Sequence, residues 1–86
     1  MTEDIEVKLQ TGSVVRADAG RDSGGYFAVT AIEGSFCRIA DGKSRKLSKP
    51  KLKNIRHVRA TNSMIDLNDL TDKKLRALLR EIAEAE

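Results

Sequence analysis

A chain of 86 residues is long enough for one domain with a modest core and leaves little room for an enclosed active site, although a shallow one fits. Charged residues make up 34% of it, and only Tyr26, Phe27 and Phe36 are aromatic, which leaves the core to Val, Leu and Ile. The net charge of +3 conceals a segregation: residues 1–34 carry three Lys/Arg against six Asp/Glu, residues 35–61 nine against one, and residues 62–86 four against six.

The acidic opening "MTEDIEVKLQ" has no apolar stretch of the signal-peptide kind, and no run approaches the roughly 20 residues that cross a bilayer. A single cysteine, Cys37, cannot form an internal disulfide, so the expectation is a soluble, reduced, cytoplasmic protein. "IEVKLQ" alternates apolar and polar residues as a half-buried strand does, and leads into a second strand segment, "GSVVRA", with Gly12 as a bulge or bend. "AGRDSGG", residues 19–25, concentrates backbone freedom at Gly20, Gly24 and Gly25. It makes a tight turn, cradles an anion or contacts RNA, but it fits neither the Walker A pattern nor GxGxxG. Gly24 is expected at φ > 0, because the chain must reverse before the next strand. "YFAVTAI" is that strand, and Glu33-Gly34 reads as a short hairpin connection into "SFCRIA". Asp41-Gly42 is a two-residue hairpin signal leading into an edge strand over 43–49, which Pro50 ends. "KNIRHV" supplies a last strand. Short strands at this spacing predict a small, strongly bent sheet or barrel.

The period then changes. "ATNSMIDLND" reads as a linker that Met64, Ile65 and Leu67 anchor. Thr71 is a helix N-cap, Asp72 suits the first turn, and Leu70 with Leu75 forms a hydrophobic staple. Leu75, Leu78, Leu79 and Ile82 fall at i, i+3, i+4 and i+7, which places a helical stripe on the barrel or on a partner. The divisions are therefore a barrel over 1–60, a linker over 61–70 and an amphipathic helix over 71–86.

Residues 12–29, "GSVVRADAGRDSGGYFAV", resemble a KOW motif in Gly12, the pair Val14-Val15, the glycine-rich loop and the apolar strand "YFAV". Residues 39–58, "IADGKSRKLSKPKLKNIRHV", are similar to the second half of the bacterial KOW-domain RNA-binding proteins. These are related to the archaeal and eukaryotic large-subunit ribosomal protein fourteen-e. The similarity rests on Asp41-Gly42, the basic run, Pro50, Lys51 to Lys53 and His57-Val58, and spans roughly residues 9–59. It implies a mainly β fold, a small SH3-like β-barrel, and binding to RNA, ribosomal RNA in particular. The loop departs from the family pattern, Gly-Arg-Asp-Lys-Gly-Arg, by placing neutral Ser23 and Gly25 at two basic positions.

Positive charge is instead concentrated in residues 43–53. Lys43, Arg45, Lys46, Lys49, Lys51 and Lys53 are the expected phosphate contacts, with Arg16 and Arg21 adding to them from the loop side and Tyr26 able to stack on an unpaired base. On a strand, alternation would put Lys43, Arg45, Leu47 and Lys49 on one side. Few aromatics favour shape and phosphate recognition of folded RNA over reading of a single strand. His57, Cys37 and the carboxylates form no local nucleophile–base signature, and no second histidine exists to share a metal. The expectation is thus no enzyme, cofactor, metal, membrane or small-molecule substrate. The competing reading is a protein-interaction module that docks on the transcription or translation machinery, contacting ribosomal or transcription proteins.

Overall fold

Between residues 13 and 40 the β-branched and aromatic runs become strands: β1 (Ser13–Ala17), β2 (Tyr26–Glu33) and β3 (Phe36–Ala40). β4 (Lys51–Asn54), β5 (Val58–Met64) and the helix α1 (Asp72–Ala85) complete the fold in this computed structural model, which describes residues 9–18, 20 and 23–85. Most of the strand expected over "IEVKLQ" lies outside the described residues, as does Arg21.

The five strands form one antiparallel sheet in the order β4-β3-β2-β1-β5. Val15 faces Phe27, Val29 faces Ile39 and Cys37 faces Lys53 across the ladders. A 3-10 turn, Ile55–His57, then carries the chain from one edge of the sheet to the other. The Asn54 side-chain oxygen caps that turn by accepting from the Arg56 amide at 2.9 Å. This is a mainly β domain of SH3-like type with a C-terminal helix. Among the described residues the barrel expected from the sequence is not closed: there β4 pairs only with β3, and β5 only with β1. β4 has four residues and follows Pro50, which has no N–H to extend a ladder.

Both faces of the central strands are buried, against two separate cores. Val15, Ala17, Phe27, Val29, Cys37, Ile39 and Val58 fill the concave face, with Leu9 and Ile55 against its rim. Val14, Ala28 and Ala40 point the other way and are covered by Leu75 and Leu79 of α1 and by Ile65. Small side chains at 28 and 40 leave room for a helix at close range. The N-terminus of α1 is capped as its sequence demands, with the Lys74 amide donating to Thr71 Oγ1 at 3.1 Å. Leu70 packs in the same cluster as Leu75.

Four local expectations need correcting. Residues 43–49 are not a strand: residues 41–50 form an irregular loop, so Asp41-Gly42 is no two-residue hairpin. Asp41 holds this loop instead, its Oδ1 accepting from the amides of Lys43 and Arg45 at 2.8 Å each. The β2–β3 connection is Gly34-Ser35, one residue later than expected, since Glu33 still pairs with Phe36. "KNIRHV" is divided among the end of β4, the 3-10 turn and the start of β5, and β5 runs on through residues 61–64 of the expected linker. Leu78, expected in the helix stripe, is 37% exposed, whereas Leu75 is fully buried and Ile82 partly so.

Candidate nucleic-acid interface

The loop from Asp41 to Pro50 owes its shape to contacts with the helix. The Leu47 amide donates to Asp72 Oδ1 at 2.8 Å, and the Arg76 guanidinium donates to the Gly42 carbonyl at 2.6 Å. Gly42 has φ +78, and a Cβ there would run into the Asp72 carbonyl. The amides of Asp41 and Gly42 both donate to the Arg45 carbonyl, at 2.8 and 3.0 Å, and the Lys49 amide donates to the Lys46 carbonyl at 2.9 Å. Leu47 tucks its side chain against the helix-side core. Burying that one apolar residue leaves its polar neighbours facing outward.

They line a groove of about 640 Å³ formed by Ser44, Arg45, Lys46, Ser48, Lys49, Pro50 and Lys51. Lys46 and Lys49 are exposed, and Arg45 and Lys51 are half-buried. Four cations and two hydroxyls thus share one concave surface whose lining holds no carboxylate. Such a surface suits an anion with several oxygens, because Arg presents a rigid fork, Lys a mobile ammonium and Ser a neutral donor.

The other expected contacts disperse. Lys53 is 7% exposed: it projects from β4 on the Cys37 side, and its Nζ lies 3.3 Å from where a Cβ on Gly20 would sit. The expectation that it meets phosphate in solvent is corrected by the pleat, since Lys53 pairs with core-facing Cys37. Arg16 is exposed on β1, across from Tyr26 on β2 and Arg59 on β5, and does not line the groove. Lys43 is exposed within the loop but does not line the groove. Tyr26 is half-buried against the helix-side core, so packing occupies much of its ring. Arg38 pairs with Glu33, which holds its guanidinium charged, first through the hydrogen bond and then through the opposite charge. Arg59 pairs with Asp18 at 3.3 Å. In the glycine-rich loop, Gly20 and Gly24 have φ of +81 and +89, and Gly25 is not in that region. The Gly24 amide donates to the Ala17 carbonyl and the Gly25 carbonyl accepts from the Ala17 amide, at 2.8 and 2.9 Å, so both glycines serve a turn that closes on β1.

Sequence reasoning missed the cations of α1. Tyr26, Asp41, Lys43, Arg76, Leu79, Arg80 and Ala83 line a second hollow of about 260 Å³ on the other side of the loop. Lys73, Arg76 and Arg80 recur at i, i+3 and i+7, a signal legible in the sequence but masked by the net negative charge of residues 62–86 taken together. Among the described residues no cluster of His, Cys, Asp and Glu is placed to hold a metal ion, and no helix is long and apolar enough to cross a membrane. No family model matches the chain, and no curated protein matches it either.

Proposed function

We propose that the protein binds structured RNA by its phosphates, through the groove between Ser44 and Lys51, and acts as a KOW-type, ribosomal-protein-like module in the cytoplasm. One observation carries this reading: Arg45, Lys46, Lys49 and Lys51 line one groove on a loop that Asp41, Asp72 and Arg76 fasten to the rest of the fold. A fastened loop loses little conformational freedom when a ligand arrives, so more of the electrostatic attraction reaches the affinity. Phosphate contacts release counterions and steer association without reading sequence. The resemblance of residues 39–58 to the ribosomal-protein-related family agrees with this placement of charge.

Lys46→Glu/Lys49→Glu is the test, because both side chains are exposed and the fold does not need them. The double variant should keep its thermal stability and lose binding to all folded RNAs about equally, with a flatter salt dependence. Binding equal to wild type would reduce the loop to a solvated face.

Protein docking is a second reading with its own observation. Phe36 and Leu52, 42% and 44% exposed, are diagonal neighbours on the helix-side face of the sheet, at the β3–β4 edge away from Ala40. An apolar dock of this kind should hold in high salt, where a phosphate interface weakens.

A further inference from the structure

We propose that the hollow between α1 and Tyr26 is a second phosphate-binding site, so that the protein grips one folded RNA on both sides of the 41–50 loop. This rests on the RNA-binding reading above and extends it to an element outside the KOW-like segment. Arg76, Arg80 and Lys43 converge on the hollow, and Lys73 adjoins Arg76 and Arg80 one turn back along the helix. Among the residues lining it, Asp41 is the only carboxylate, and its Oδ1 already accepts from the amides of Lys43 and Arg45. That carboxylate therefore opposes an incoming phosphate less than an uncommitted one would. Arg76 is half of the hinge between the two grooves: its guanidinium donates to the Gly42 carbonyl, at the root of the loop that carries Lys46 and Lys49. Because α1 and the loop share this bond and that of Asp72 to Leu47, the two cationic surfaces are held in fixed relation. A ligand with phosphates on more than one backbone segment satisfies both, which selects folded RNA over a short single strand.

Arg80 is the residue to alter, since it is exposed, faces the hollow and makes none of the loop-fastening bonds. Glutamine keeps helix propensity and removes the charge without introducing an opposite one beside Arg76. Binding of a stable RNA hairpin and of a single-stranded oligonucleotide of equal length is measured for wild type, Arg80→Gln and Lys46→Glu/Lys49→Glu at several salt concentrations. Arg80→Gln should weaken hairpin binding, lower the magnitude of its salt slope by about one, and change single-strand binding less. Hairpin binding of Arg80→Gln equal to wild type, alongside a loss in the Lys46/Lys49 variant, overturns the second site and leaves the first. Loss in neither variant overturns both readings. Lys73→Gln is the second probe and should act in the same direction; an unchanged Lys73→Gln together with an unchanged Arg80→Gln rejects the helix as a contact surface.

Discussion

Gly42 and Gly24 both have positive φ, at +78 and +89, yet their surroundings differ. Nothing lies within 4 Å of a Cβ added at Gly24, so alanine there meets only the backbone penalty, about 1 kcal/mol. At Gly42 the same penalty adds to a collision with the Asp72 carbonyl, and Gly42→Ala should cost roughly 2–4 kcal/mol. Thermal unfolding of both variants checks the order; equal losses would mean that the loop does not press on the helix. Cys37 gives a second prediction at this scale. Burial pushes its thiol pKa up, with Lys53 opposing the shift. A raised folded-state pKa means that the group's contribution to stability is complete below the ordinary thiol pKa. It is lost as pH climbs through the raised one. A thiol reagent at mildly alkaline pH should therefore label the native protein slowly and the denatured protein at once. Rapid labelling of the native state would contradict the burial.

Helix α1 is joined to the sheet by two residues of its expected stripe more than by the other two. Leu75→Ala should destabilise the domain by about 2–5 kcal/mol, whereas Leu78→Ala, at a site 37% exposed, should cost less than about 1 kcal/mol. The periodicity of the stripe was legible, but which of its members the sheet covers depends on where Val14, Ala28 and Ala40 lie, and that is a matter of tertiary contact. The loop 41–50 was misjudged for a related reason. Asp-Gly favours a hairpin only when the following residues find a partner strand, and here Asp41 and Asp72 take their amides instead. Asp72→Ala should release the Leu47 amide and cost roughly 1.5–3 kcal/mol. Trypsin should then cut after Arg45 and Lys46 faster than in wild type, the Lys49–Pro50 bond being resistant to it; unchanged cleavage would show that the loop needs no anchor on the helix.

At the scale of the molecule, the block of nine cations between residues 35 and 61 does not act as a unit. Arg38 and Arg59 pair with acids, Lys53 turns inward, and Arg45, Lys46, Lys49 and Lys51 share a groove. The sequence revealed the block and the mainly β fold, because charge density and strand propensity are local. The division of the block was hidden, because it follows from the register that sets Lys53 opposite Cys37 and from the burial of Leu47. The central claim, that the loop groove holds RNA phosphates, is tested most directly by titrating a folded ribosomal RNA fragment with wild type and with Lys46→Glu/Lys49→Glu over a range of salt. Four contacts predict a wild-type slope of log K against log salt of about −3 or steeper, flattened by roughly two in the double variant. A slope near zero in wild type, or the same slope and affinity in both proteins, would contradict the account.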